Sequence, residues 1–415
     1  MKKFLALTLA LVMSLSLVAC GDKKTDDTKT DEPDQKTEHP AENEGAYKVA
    51  MITDYGDITD QSFNQTTYEA CKAFAEDNSI EFSYFKPAGD NTADRVAMIE
   101  KAVDEGFNVI VMPGYAFGGA IVEAAPEFPD VKFIALDVAA GDLLETAVAK
   151  AGESYDYTPE NWDLNKYVDM SNVYCAVYQE ELCGYMAGYA AVKLGYKNLG
   201  FLGGMSVPAV VRYGYGFVQG VDAAAADLGL TDVKLNYIYG GQFFGDADIT
   251  AVMDTWYQGG TEVVFACGGG IYTSAVDAAK KANAKVIGVD VDQAGVIAKY
   301  AGVDGMTVTS AMKGLYPATY DTLTDVIVNG NWDKYVGKIE TLGLVSGTDP
   351  EANYVQIPMG DGTQWSDSFT QDDYKAMVKD MFDGKITVSN NTSSDVSAAD
   401  FATVITVDDQ GSIKG

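Results

Sequence analysis

The chain has 415 residues, more than one compact core ordinarily organises, so two domains and an added segment are expected. At 47% hydrophobic and 22% charged it argues against both wholesale disorder and a polytopic membrane protein. Its 61 acidic against 29 basic residues give a net charge of -32, which excludes a sequence-independent grip on nucleic acid, and its single histidine, His39, removes catalytic triads, imidazole bases and His-rich metal sites.

Residues 1–20 have the parts of an export signal: Lys2 and Lys3, then an apolar run over 4–12 that continues more weakly to Leu17. The run is too short for a transmembrane helix. Leu17-Val18-Ala19-Cys20 resembles the lipobox of bacterial lipoproteins, in which the cysteine thiol is alkylated with diacylglycerol and becomes the new N-terminus. The resemblance implies export and a lipid anchor at Cys20 on the extracytoplasmic side of the cell membrane. Residues 21–45 have Ala41 as their one apolar residue apart from glycine and proline, so a disordered acidic spacer is expected there. The remaining cysteines, Cys71, Cys175, Cys183 and Cys267, lie singly in apolar segments. They read as mostly buried thiols, with Cys175 and Cys183 the one pair to test for a disulfide, and no metal or cofactor is expected.

From Lys48 the pattern alternates short aliphatic runs with amphipathic ones. It predicts strands over 48–54, 81–85, 108–113 and 132–137, with helices over 63–77, 92–105 and 118–125 between them. Residues 139–170 are polar and Tyr/Asp-rich and read as an elaborated loop. A strand over 172–178 follows, then a helix over 180–194 whose Gly184, Ala187, Gly188 and Ala191 would let a neighbour pack closely. A second series has strands over 199–202, 235–239, 263–267, 286–289 and 307–310, and helices over 209–228, 249–258, 272–283 and 313–328. Further on, 338–344 and 354–357 read as strands, 371–382 as a helix and 389–398 as loop. Apolar strands alternating with helices mean parallel sheets covered on both faces. The fold class is therefore α/β, two doubly wound parallel-sheet lobes, the first over 46–178 joined by about 311–405 and the second over 179–310.

Ligands of such sheets sit outside the carboxyl ends of the strands. Those ends carry Asp54 with the run to Asn64, then Gly114-Tyr115, Asp137, Gly203-Gly204, Gly268-Gly269-Gly270, Asp290 with Asp292, and Ser310 leading to Lys313. An aspartate at a strand end commonly caps the next helix, a reading open to each one singly but not to all of them together. No G-x-G-x-x-G follows the first strand, which removes the dinucleotide-binding alternative.

Five stretches in order carry a family resemblance: Asp60-Gln61-Ser62-Phe63-Asn64; Tyr178 to Gly188; Gly200 to Gly220 with Pro208, Arg212 and Tyr213; Gly288 to Gln293; and Thr309 to Lys313. Together they resemble the basic membrane protein family, the nucleoside-binding branch of ABC-transporter substrate-binding lipoproteins. The resemblance implies a type I periplasmic-binding-protein fold that holds a purine nucleoside between its lobes and delivers it, as a monomer, to ABC permease and ATPase subunits. Carried over by residue, Phe63 and Tyr213 would stack on opposite faces of the base. Asp137 and Asn64 would bond its edge with Asp54 close by, Asp290 and Lys313 would hold the ribose, and Gly268 and Gly269 would let backbone approach the sugar. Gly114 and Tyr115 stand where the family has a glycine-rich turn. Tyr213 replaces the usual phenylalanine, and 139–170 is longer than expected. Other readings are a sugar or furanose-type ligand on the same fold, a surface antigen without a transport role, and an exported nucleoside hydrolase using Asp54 and Asp57, which the lack of any further metal-binding set disfavours, as the lack of a histidine base disfavours acyl transfer.

Overall fold

Two sheets, parallel except for one short antiparallel edge strand in the second, carry the chain in this computed structural model, which describes residues 46–414. The export segment, Cys20 and the 21–45 spacer lie outside the described residues. The first series is β1 (Lys48–Ile52), α1 (Phe63–Asn78), β2 (Glu81–Phe85), α2 (Thr92–Asp104), β3 (Val109–Pro113), α3 (Gly118–Ala124), β4 (Lys132–Leu136), α4 (Ala140–Lys150), α5 (Leu164–Tyr167) and β5 (Val173–Tyr178). The second is α6 (Glu180–Lys193), β6 (Asn198–Gly203), α7 (Pro208–Asp227), β7 (Lys234–Tyr239), α8 (Ala247–Gln258), β8 (Val263–Cys267), α9 (Tyr272–Ala282), β9 (Lys285–Asp290), α10 (Ala294–Ala301) and β10 (Thr307–Lys313). A C-terminal part adds α11 (Leu315–Leu323), β11 (Ile339–Leu342), β12 (Val355–Gln356), α12 (Gln371–Phe382) and β13 (Thr406–Ser412).

The strand orders are β11-β5-β4-β3-β1-β2 and β12-β10-β9-β8-β6-β7-β13. Without the C-terminal additions both follow one doubly wound plan, with β6 to β10 repeating β1 to β5. Central strands such as Val109–Pro113 and Val263–Cys267 are wholly buried, because helices cover both faces of each sheet. Either series therefore places its ligand-facing loops at one edge.

Helices α6 and α7 lock together through glycine. A Cβ on Gly184 or Gly188 would lie 2.3 or 2.4 Å from the carbonyl oxygens of Tyr213 and Phe217. One on Gly216 or Gly220 would lie 2.1 Å from those of Glu181 and Tyr185. The small residues expected to admit a neighbour on α6 do so, and the neighbour is α7.

Four expectations change. Residues 139–170 are not all loop: α4 buries Leu143, Leu144, Ala147 and Val148, and the Ala139 N–H donates to Asp142 at 2.7 Å to start it. The Tyr/Asp-rich stretch behind it hides its short period. Helix α10 was not expected. The strand expected to end at Ser310 runs on to Lys313, since Met312 and Lys313 pair with Gln356 and Val355, and the helix begins at Leu315. Finally, 311–405 does not return to the first lobe as a block. β11 pairs with β5, and α11 meets α1 through Tyr320 and Phe74. However, β12 joins β10 and Tyr374 of α12 reaches Met186 of α6, so part of that range completes the second lobe, as does β13 beyond it by joining β7. The tail's apolar residues do not indicate which sheet edge they will cover.

Candidate functional site

The strand ends of the two lobes face each other across a cavity of ≈ 390 Å³. The repeated plan sets matching backbone there. Gly114 after β3 has φ 126° and Gly268 after β8 has φ 141°, a region in which glycine is at ease. Asp137 after β4 has φ 60° and Asp290 at the end of β9 has φ 65°, left-handed values that aspartate tolerates better than most residues. Neither aspartate caps a helix. Both turn toward Lys313.

The Lys313 ammonium is buried and lies 2.5 Å from Asp137, 3.4 Å from Glu180 and 3.9 Å from Asp290. Burial works against its charge, but the three carboxylates hold its pKa above the ordinary lysine range. Burial pushes Asp137 up to about 6 even with Lys313 and Arg212 drawing it down. Glu180, fully buried, accepts from Arg212 Nε at 2.7 Å on its second oxygen. Asp290 also accepts from Ser62 Oγ at 2.5 Å and from the Tyr213 hydroxyl at 3.3 Å. Because Ser62 and Asp137 come from the first lobe, and Asp290 and Lys313 from the second, the cluster bridges the lobes. Gln293 Nε2 donating to the Gln61 carbonyl at 3.2 Å adds a further bridge, as do the Tyr55 and Tyr115 hydroxyls on the Met205 sulfur.

The loop between β1 and α1 builds the other side. Asp54 accepts from the Tyr55 and Gly56 N–H groups at 2.6 Å each and from Asn64 Nδ2 at 3.2 Å. Asp60 accepts from the Ser62, Asn64 and Gln65 N–H groups. These two carboxylates, like Asp292 on the Ala294 N–H, do serve local turns, and burial raises the pKa of Asp54 and Asp60. Asn64 uses its amide hydrogens on Asp54 and Asp60, and its Oδ1 is buried without a partner among the described residues; the same is true of Asp137 Oδ1. A buried acceptor left unpaired costs free energy, and these two belong to residues that line the cavity.

Phe63 and Tyr213 both line the cavity, and both rings lie near the same ammonium, with their centroids 4.8 and 5.6 Å from Lys313 Nζ. Phe243 and Phe244 add apolar wall. Gly268 and Gly269 also have a packing reason within the fold. A Cβ on Gly268 would meet the Phe243 ring at 2.6 Å, and one on Gly269 would meet the Phe243 carbonyl at 3.0 Å, so these glycines admit Phe243.

All eleven expected residues, Asp54, Phe63, Asn64, Gly114, Tyr115, Asp137, Tyr213, Gly268, Gly269, Asp290 and Lys313, line the one cavity. Sequence reasoning assigned no role to Ser62, Glu180, Arg212 or Phe243. Glu180 did carry a signal, as the first of two acids opening a helix that is mostly apolar and rich in small residues. The four cysteines are buried free thiols, so Cys175 and Cys183 form no disulfide. Among the described residues no group of His, Cys, Asp and Glu is arranged to hold a metal ion.

Residues 47–348 match the family model described as ABC transporter substrate-binding protein PnrA-like (Bmp). The chain is 26% identical over 355 residues to the ABC transporter nucleoside-binding protein BmpA of Lactococcus lactis subsp. cremoris, covering 82% of this chain and 88% of that one. It is also 26% identical over 341 residues to a CD4+ T-cell-stimulating antigen of Listeria innocua, covering 78% and 84%. The crystal structure of an ABC transporter system solute-binding protein from Aeropyrum pernix K1 aligns with a TM-score of 0.59 at 20% identity, covering 83% of this chain and 88% of that one.

Proposed function

The chain belongs to the Bmp family of PnrA-like ABC transporter substrate-binding proteins, built on the type I periplasmic-binding-protein fold, and on that premise we propose that its cleft captures a purine nucleoside for an ABC importer. The observation that carries this reading is the pair of buried, unpartnered acceptors, Asn64 Oδ1 and Asp137 Oδ1, in a cavity walled by Phe63, Tyr213 and Phe243. A flat heterocycle bearing N–H donors supplies what both features lack. Base stacking on an aromatic ring contributes about 1–3 kcal/mol, and the ≈ 390 Å³ cavity is of small-ligand size.

In this reading Phe63 and Tyr213 flank the base, while Asp137 and Asn64 accept from its edge and Asp54 fixes Asn64. Asp290 and Lys313 hold the ribose beside the backbone of Gly268 and Gly269. Gly114 and Tyr115 complete the first-lobe wall. The many carboxylates favour an uncharged nucleoside over its phosphates. Binding involves no covalent step. Lobe closure around the ligand would form the surface that permease and ATPase subunits read, while diacylglycerol on Cys20 keeps the protein at the membrane. The nucleoside named for the Lactococcus relative supports the same ligand class.

A thermal-shift panel tests this. Inosine, guanosine or adenosine should raise the melting temperature by mass action, and Phe63→Ala should remove most of the shift. A response to sugars alone would replace the nucleoside with a sugar or furanose-type ligand. A response to neither would favour the antigen-like role.

A further inference from the structure

Three cations line the cavity, and two of them sit on carboxylates through their ammonium groups. Lys86 is held by Asp57 at 2.8 Å, and Lys313 is held by three carboxylates. Arg212 differs. Its Nε donates to Glu180 at 2.7 Å, but among the described residues its two terminal nitrogens have no acceptor. Glu180 fixes the guanidinium from behind, because it is fully buried and places one oxygen on Arg212 and the other on Lys313. Swinging Arg212 away would leave a buried carboxylate half paired, which is costly.

Three residues of the cavity leave polar groups unused among the described residues and can be read as one set. Asn64 and Asp137 each offer an acceptor, and Arg212 offers a planar fork of donors. Arg212 lies close enough to Asp137 for its charge to act on that carboxylate. A base that completes this set must present an N–H donor next to a carbonyl oxygen. The 6-oxopurines do so through N1–H and O6, with N7 as a second acceptor suited to an arginine fork. Adenine has the reverse polarity on that edge, an acceptor at N1 and an amino donor at C6. It would set a lone pair against a carboxylate and an amino group against a guanidinium.

We propose that Arg212 is the specificity-determining residue of the cleft, selecting 6-oxopurine nucleosides over adenosine by donating to O6 and N7 while Asp137 accepts N1–H. This rests on the nucleoside reading above. A site built to bond a group rejects an analogue of opposite polarity, because its own buried groups then stay unpaired.

Calorimetric titration of the wild-type protein, R212Q and R212K with inosine, guanosine and adenosine tests it. Wild type should bind inosine and guanosine at least about tenfold more tightly than adenosine. In R212Q the ratio should fall below about threefold, with adenosine affinity undiminished, and R212K, which keeps the charge without the fork, should lie between. Equal or tighter adenosine binding by wild type overturns the proposal and leaves the nucleoside reading intact. Equal weakening of all three ligands in both variants also overturns it, making Arg212 a brace for Glu180. A wild type that binds none of the three overturns the nucleoside reading and this inference with it.

Discussion

Asp137 and Asp290 stand at the carboxyl ends of the fourth strand of each series, with φ of 60° and 65°, and reach one ammonium, that of Lys313, at 2.5 and 3.9 Å. The repeat of one strand plan in two lobes brings two like charges together. The lysine from β10 is what lets them coexist out of water. Since Asp137 belongs to one lobe and Lys313 to the other, the same contact also holds the cleft closed.

Lys313→Met leaves Asp137 and Asp290 with no cation within 4 Å among the described residues. Urea denaturation at pH 7 should show a loss of about 3–5 kcal/mol. Burial already raises the Asp137 pKa, and without Lys313 it rises further. A carboxylate raised in the folded state contributes stability that is fully present below its unfolded pKa and lost as pH rises through its folded pKa. The deficit should therefore shrink from pH 7 toward pH 5; a constant deficit would contradict the charge argument.

Glu181 opens α6 beside Glu180, and burial pushes it up to about 7, with one oxygen unpartnered. Its contribution is complete below about pH 4 and is lost as pH rises through about 7. Glu181→Gln should raise the melting temperature at pH 8 and leave it nearly unchanged at pH 5. Scanning calorimetry at both values checks the sign.

Ser62→Ala removes the hydroxyl that reaches Asp290 across the cleft at 2.5 Å. A hydrogen bond to a charged group is worth about 1.5–3 kcal/mol, so nucleoside affinity should fall roughly tenfold or more. The loss should appear in the dissociation rate, because the bond forms only when the lobes meet. Stopped-flow release of bound ligand measures it.

Gly216→Ala places a Cβ 2.1 Å from the Glu181 carbonyl oxygen. Forcing α6 and α7 apart should cost about 1–3 kcal/mol in denaturant unfolding. It should also weaken ligand binding, since Glu180 is on one helix and Arg212 and Tyr213 are on the other. An alanine variant as stable as wild type would show that the helix pair can yield.

Much of the fold was legible because buried parallel strands are apolar along their whole length, so Val109–Pro113 and Val263–Cys267 announce themselves. The helix pair was half legible, since Gly184 and Gly188 signal close approach without naming the partner. Local sequence cannot separate a carboxylate that caps a turn from one aimed into a cleft. Asp54 and Asp60 do the first while Asp137 and Asp290 do the second, although all four stand at or beyond the carboxyl end of a strand.

The order of apolar and glycine signals along the chain, with the family motifs, was sufficient to specify two α/β lobes and to nominate the strand-end residues between them. These are local properties, determined by side-chain period and backbone permissiveness. The pairing of Lys313 with Asp137, the grip of Glu180 on Arg212, Phe243 over Gly268 and the second-lobe home of β12 and β13 were decided by the tertiary structure alone. Each depends on which distant segments the sheets bring within a few ångströms, and no pattern inside either segment encodes that distance.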